Sequence, residues 1–404
     1  MIVRVWLMGT RRLIPPRSAP MPACKMTNPT PDLAGAVLTI DLVALKANWQ
    51  RLNARARTAE CGAAVKGNAY GLGIEPVAKA LWEAGCRSYF VARPKEGEEL
   101  RAILPEAVIY VLDGLFAGQA EFYAKLNLCP ALISIEEARE WAGFGRVYGR
   151  KLPCAIHVDT GINRLGFSLP EFEALLADGF TMDGLNIGLL MSHLACADDP
   201  PHPLNVRQRD AFAVVRARLP GVPASLANSS GIFLGEGFTH DLVRPGIALY
   251  GGNPTPGATN PMQAVAHLEG TVMQVRHVKP GETVGYGATW EASRPSRIAI
   301  LGAGYKDGVP RALSSRQQDG PAQVFINGRR CPVIGRISMD MMGIDITGLM
   351  PHSVVRGTRA EILGSNILID EAAQWAGTIS YELLTRLGSR YARLYSGLES
   401  DATA

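Results

Sequence analysis

The chain has 404 residues, 47% of them apolar and 19% charged, and a formal net charge of +4. That length exceeds one ordinary hydrophobic core and predicts two domains. The small positive charge, with no Lys/Arg-rich block, argues against nucleic acid as a partner, and no stretch reaches the ~20 apolar residues that would span a membrane.

Residues 1–33 come first. Met1 to Met8 is mostly apolar, but Arg4 interrupts it, and Arg11, Arg12 and a proline-rich run follow. A signal peptide places its charges before an unbroken apolar core, so this order does not fit one. The composition predicts a disordered extension over 1–33, with Met21 and Met26 as alternative translation starts. Next, AVLTIDLVAL (36–45) predicts a strand followed by a helix, with Asp41 as the helix N-cap.

From there to about residue 250, apolar runs alternate with helical patterns. Strands are predicted at 63–66, 89–92, 108–112, 131–134, 155–158, 189–193, 224–227 and 247–250, and helical spacing at 74–85 and 134–141. Apolar strands joined by helical crossovers predict a parallel sheet covered on both faces. Eight such units fit a (β/α)₈ barrel over 34–266. A doubly wound open sheet competes, but no GxGxxG follows the first strand. After residue 266 the texture changes. Short strands at 272–278, 297–301, 322–326 and 341–346, separated by turns such as GETV and NGRR, predict a mainly β domain over 267–404.

The cysteines are seven, Cys24, Cys61, Cys86, Cys129, Cys154, Cys196 and Cys331, widely spaced and without a CxxC pair. This predicts free thiols in a reducing cytoplasm, not a disulfide framework or a zinc ribbon. There is no HExxH, EF-hand loop, P-loop or GxSxG elbow, so no metal site is expected.

In a parallel barrel the reacting groups sit at the C-terminal ends of strands. There the sequence places Lys66, His193, Asn228 and Ser229, with Arg244 close to the last strand. A lysine ending an apolar strand is either a solvent-facing loop residue or an amine desolvated enough to be a nucleophile. Asn228-Ser229-Ser230-Gly231 and Pro245-Gly246-Ile247 offer hydroxyls and backbone N–H groups that suit a phosphate, although such clusters are often plain turns. The residues alone lead to an α/β barrel enzyme with a phosphate-bearing ligand.

Several longer segments follow one another in order: AVKGNAYGLG (64–73), DTGINRLGF (159–167), MSHLACAD (191–198), ANSSG (227–231) and RPGIALYG (244–251). VGYGATW (284–290), GYKDGVPR (304–311), GRISMD (335–340) and ISYELLTRLGSR (379–390) complete the series. Together they resemble the motifs of the alanine racemase family, over nearly everything from 36 to 395. The resemblance implies pyridoxal phosphate (PLP) as cofactor, held by Lys66, and interconversion of the alanine enantiomers by two acid/base groups. Lys66 would serve the D-enantiomer, and Tyr286, on the opposite face, the L-enantiomer.

It also implies a chain from Tyr286 through His193 to Arg244, with Arg244 facing the cofactor's ring nitrogen. Arginine only donates, so that nitrogen would stay unprotonated and side reactions such as transamination would be limited. By the same resemblance, Tyr70, Ser229, the N–H groups of Gly246 and Ile247, and Tyr381 hold the phosphate, beside Asn228. Arg164 contacts the cofactor and the substrate carboxylate, Met339 binds that carboxylate through its N–H, and Tyr305 lines the entrance. The residues matching Tyr286, Tyr305 and Met339 reach the other subunit's site in this family, which implies a homodimer.

One departure stands out. The family often carries a carbamylated lysine two residues before the aspartate of DTG, where this chain has His157. An anion such as chloride, or His157 itself, would then have to orient Arg164. A second departure is Gly67, where alanine is common. A broad-specificity or serine racemase on the same scaffold remains the alternative, since pocket size decides it. A barrel-only, non-catalytic PLP-binding protein would lack the β domain. A decarboxylase of similar architecture would carry a cysteine motif and an acidic ring partner, neither of which is visible here. Supply of D-alanine for the cell wall and catabolism of L-alanine both fit the motifs.

Overall fold

A computed structural model describes residues 30–315 and 320–397. The expected extension lies, up to residue 29, outside the described residues, while Pro31–Leu33 form a short 3₁₀ turn. In chain order the strands of the first half are β1 (Ala36–Asp41), β2 (Glu60–Cys61), β3 (Ala63–Ala64), β4 (Ser88–Val91), β5 (Val108–Val111), β6 (Leu128–Leu132), β7 (Pro153–His157), β8 (Asn186–Met191), β9 (Ala224–Ser225) and β10 (Leu242–Val243).

Strands β3 to β9 form one parallel sheet in sequence order. They are buried on both faces except at the starts of β5 and β8, where Val108, Asn186 and Gly188 are exposed, and helices such as Ile74–Ala84 and Ile135–Val147 run between them. Strand β10 pairs in parallel with β2, and Asn228 bridges to Arg244, so the sheet curls round to meet its own first edge. Gly62 N donates to Val243 O (3.0 Å) and Ala64 N to Pro245 O (2.9 Å), which joins the last strand to the first. Curling closed removes the exposed edges that a parallel sheet would otherwise present.

The strand predicted at 247–250 is not one. Ile247–Tyr250 is a 3₁₀ turn, and the last barrel strand is the two-residue β10 before it. Pro245 has no N–H for a ladder, and Gly246 has φ −126° and ψ −90°, which turns the chain. The run looks like a strand because all four of its residues are buried, and burial on every side leaves no period to read.

Strand β1 forms where the sequence predicts it, and Asp41 Oδ1 accepts from Ala44 N at 2.9 Å, capping the helix Leu42–Ala56. Its partners, however, lie in the C-terminal domain. That domain holds β11 (Ala266–Val278), β12 (Thr283–Val284), β13 (Trp290–Glu291), β14 (Ser296–Leu301), β15 (Gln323–Ile326), β16 (Arg329–Ile334), β17 (Met342–Asp345), β18 (Arg359–Leu363) and β19 (Ala392–Ser396). Strand β1 pairs antiparallel with β11 and parallel with β19. The expectation that residues from 34 onward open the barrel is therefore corrected: the first described strand belongs to the sheet of the β domain, and the chain enters the barrel after it.

The long strand β11 has an irregularity between Val272 and Gln274. Its first half pairs with β1 and β18, and its second half with β14. A ring of pairings results, β11–β14–β17–β16–β15–β18 and back to β11. One continuous core runs through both domains, from Trp141 and Phe90 in the barrel to Val333 and Leu384 in the β domain. A smaller cluster around Trp290, Ile298 and Ile334 supports the loop that carries Tyr286.

Candidate active site

The C-terminal ends of the barrel strands bring the expected residues together. Lys66 follows β3, His157 ends β7, His193 follows β8, Asn228 and Ser229 follow β9, and Arg244 follows β10. Because β3 is bonded to Pro245, the barrel closure itself sets Lys66 beside the 245–248 loop.

Lys66 opens an unusual turn. Gly67, Asn68, Ala69 and Tyr70 all have positive φ, between 53° and 64°, a left-handed turn closed by Gly71 N donating to Gly67 O at 2.8 Å. Each of the non-glycine residues there carries roughly 1–2 kcal/mol of strain, so the turn persists only where its surroundings hold it. The C-terminal domain supplies part of that hold. Arg393 donates to Gly71 O (2.7 Å) and the Tyr395 hydroxyl to Leu72 O (3.0 Å). A Cβ on Gly71 would lie 2.6 Å from Leu384 O, so the helix Ser380–Thr385 with Tyr381 packs directly on the turn.

Tyr70 is turned inward by this conformation. Its ring lies 4.7 Å from that of Tyr250 and 6.0 Å from that of Tyr381. Its hydroxyl points at the 245–248 loop, since a Cβ on Gly246 would lie 2.3 Å from it. Across that loop, Ser229 Oγ accepts from Gly246 N (2.8 Å) and Ala248 N (3.3 Å). Asn228 uses its side-chain oxygen to accept from Gly231 N (2.9 Å), shaping the same turn. Hydroxyls and backbone N–H groups thus gather round this loop, the donor types that suit an anion, with Gly246 N and Ala248 N here bonded to Ser229.

Arg244 is buried at 5% exposure. Its guanidinium donates to Ser225 Oγ (2.5 Å), Ser192 O (2.6 Å) and Leu226 O (3.4 Å), and Nη2 lies 3.4 Å from His193 Nδ1. Burial brings its pKa down to about 10, which still leaves it cationic at neutral pH. His193 is held well below the usual histidine range, by burial first and then by Arg244 and Arg164, so it is neutral. Burial lowers the Lys66 amine as well, with Arg164 adding to this, while Asp113 and Glu96 oppose it. The site is thus rich in positive charge and holds an amine that gives up its proton more readily than a surface lysine.

His157 is 5% exposed, and neither ring nitrogen has a hydrogen-bond partner. Burial, with Arg244 and Arg164, lowers its pKa to about 4. Of the two ways of orienting Arg164, a direct bond from His157 is not present here, and Arg164 is exposed at the mouth of the barrel.

Tyr286, Tyr305 and Met339 lie on loops of the β domain and are 72%, 44% and 51% exposed. They sit on adjoining loops. Tyr305 N donates to Ser338 O and Lys306 N to Met339 O, both at 3.0 Å, and a Cβ on Gly285 would lie 3.3 Å from Arg336 N. Arg390 grips Asp307 (2.7 and 2.9 Å) and Asp340 (2.8 Å), which fastens the loops of Tyr305 and Met339 to each other.

Sequence reading passed over some supporting residues. Gln208, fully buried, donates to His193 O (2.8 Å) and accepts from Ala195 N (2.9 Å), fixing the His193 segment from the neighbouring helix. Nothing local marks that glutamine. Tyr250, whose hydroxyl donates to Ala64 O (2.9 Å), lies inside a quoted motif and was legible there.

Fold and site define a class: a two-domain enzyme with a parallel β/α barrel, a strand-end lysine and a loop of hydroxyls and backbone N–H groups, joined to a β domain. The family model "Alanine racemase, N-terminal domain" matches residues 40–254, and "Alanine racemase, C-terminal domain" matches 265–395. An alanine racemase of Methylobacterium sp. (strain 4-46) is 52% identical over 361 residues, 89% of this chain and 98% of that protein. The crystal structure of alanine racemase from Bartonella henselae with covalently bound pyridoxal phosphate is 39% identical, with a TM-score of 0.85, covering 90% of this chain and 99% of that one. The biosynthetic enzyme from Pseudomonas aeruginosa is 33% identical at a TM-score of 0.83, covering 90% and 100%. The chain belongs to the alanine racemase family of isomerases.

Proposed function

We propose that this enzyme interconverts L- and D-alanine with PLP, using Lys66 and Tyr286 as its two acid/base groups. The observation that carries the reading is the half-buried Lys66 amine, lowered in pKa by desolvation and by the Arg164 and Arg244 cations, beside the loop where Gly246 N meets Ser229. PLP, when bound, supplies the electron sink that makes the substrate's α-hydrogen acidic.

The chain's own residues do the rest. Tyr70, Ser229, Tyr381 and the N–H groups of Gly246 and Ile247 would hold the phosphate, with Asn228 shaping their turn. Arg244 would donate to the ring nitrogen of the bound cofactor, with His193, held neutral, beside it. Lys66 carries the cofactor and handles the proton on the D-side. Tyr286 handles it on the L-side, and Arg164 and the Met339 N–H orient the substrate carboxylate beside Tyr305. Two groups on opposite faces are needed because inversion removes a proton from one face and returns one to the other.

Tyr286, Tyr305 and Met339 lie together on an exposed surface, as residues that complete a partner's site would. We therefore read the active form as a homodimer with two shared sites. Among the described residues six cysteines are free, five of them buried, which suits a reducing compartment, and we place the enzyme in the cytoplasm. No described helix is long and apolar enough to cross a membrane.

The test is a coupled assay of both alanine enantiomers beside serine, lysine and arginine, with an absorbance scan for bound cofactor. Turnover of alanine in both directions, well above the others, supports the reading. Equal turnover of serine would shift it to a broader racemase, and absence of any chromophore after reconstitution with PLP would refute it.

A further inference from the structure

The left-handed turn after Lys66 needs an anchor on its barrel side as well as on the side of the C-terminal domain. One side chain reaches it there. Glu96, in the first turn of the helix Pro94–Ile103, divides its carboxylate between two jobs. Oε2 accepts from Ala92 N (2.8 Å) and Arg93 N (3.1 Å), which caps the helix. Oε1 faces the other way and accepts from Gly67 N at 2.7 Å. Capping needs only the first of these; the second crosses from one strand–helix unit of the barrel to its neighbour.

The Gly67 N–H belongs to the same rigid peptide plane as the Lys66 Cα and carbonyl. Holding that N–H fixes ψ of Lys66, and with it the direction of the lysine side chain. A charged acceptor makes the hold a strong one. Glu96 also counters the two arginines that lower the lysine's pKa. We propose that Glu96 is a positioning residue, which acts through the Gly67 N–H to fix the left-handed turn and aim Lys66 at the cofactor site. This rests on the reading of Lys66 as the cofactor lysine.

Glu96→Gln is the test. Glutamine keeps one oxygen for the cap and sets an NH₂ against the Gly67 N–H, donor to donor. In reconstituted enzyme the PLP dissociation constant is expected to rise about ten-fold, a change of about 1.4 kcal/mol. Glu171→Gln is the control. Glu171 caps the helix Leu169–Ala177 in the same way, accepting from Ser168 N (2.8 Å) and Oγ (2.7 Å), away from the site. That variant should keep wild-type PLP affinity.

Hydrogen exchange on the wild-type holoenzyme gives a second readout that needs no variant to fold. The Gly67 amide, although in an exposed stretch, should exchange more slowly than the amides of open loops. Unchanged PLP affinity in Glu96→Gln, equal loss in Glu171→Gln, or a fast-exchanging Gly67 amide would each overturn the proposal. Wild-type protein that takes up no PLP would instead overturn the cofactor reading on which it rests.

Discussion

His157 offers the sharpest prediction about stability. It is a buried imidazole whose pKa falls from the ordinary 6.5 to about 4, chiefly through burial and then through Arg244 and Arg164. The sign follows from linkage. In the folded protein the ring refuses a proton that the unfolded chain accepts below pH 6.5, so the unfolded state binds more protons and stability falls as pH drops. The loss begins near pH 6.5 and is complete near pH 4. Each pH unit in that window is worth about 1.4 kcal/mol for one proton, so the total approaches about 3 kcal/mol.

His157→Leu removes this proton from the balance and also removes two buried nitrogens without partners. At pH 7 the variant should be as stable as the wild type or more so, because an unsatisfied buried polar group costs about 1–3 kcal/mol. Urea unfolding at pH 7, 6, 5 and 4.5 measures both effects. The wild type should lose about 2.4 kcal/mol more than the variant between pH 7 and 4.5. His193 is present in both, and its depression comes from burial and the two arginines before His157, so its own titration largely cancels in the difference. Parallel pH curves for the two proteins would refute the reasoning.

Other outcomes follow from single contacts. Gly246→Ala sets a methyl group 2.3 Å from the Tyr70 hydroxyl oxygen; PLP titration should show affinity about ten-fold weaker. Arg244→Glu exchanges a donor for an acceptor at the cofactor's ring nitrogen. Pyruvate formed as a by-product, read with lactate dehydrogenase, should rise, and an unchanged yield would contradict this. Asp41→Ala removes the cap on Ala44 N and should cost about 1 kcal/mol, or roughly 1 °C in melting temperature for a unit of this size, so urea unfolding is the better readout, with cofactor affinity intact.

What the sequence makes legible here is what repeats. The strands β4 to β8 are mostly apolar runs of four to six residues between helical patterns; β4, β5 and β7 lie within one or two residues of the expected ranges, while β6 and β8 begin three residues earlier than expected. The barrel's closing strand is harder, because β10 has two residues and a longer apolar run follows it. Strands β16, β18 and β19 carry Arg329, Arg330, Arg359 and Arg393 among few apolar residues, and they escape a reading based on apolar runs. The partners of β1 are non-local, and no pattern within 36–41 announces them.

At the site, the strand-end residues are visible because barrel geometry says where to look. The conformation behind Lys66 is not. Asn68, Ala69 and Tyr70 adopt positive φ only because Arg393, Tyr395, Leu384 and Glu96 surround them. Those contacts come from segments up to 323 residues away in the chain. Propensity speaks for each residue alone, and here tertiary contacts override it.

The central claim is that an amine and a phenol divide the two faces of the substrate. Tyr286→Phe in D₂O tests it most directly, by following the α-hydrogen of alanine. With D-alanine supplied, deuterium should still enter the α-position through Lys66, while formation of the L-enantiomer falls by on the order of a hundred-fold or more. A variant that interconverts both enantiomers at the wild-type rate would contradict the account.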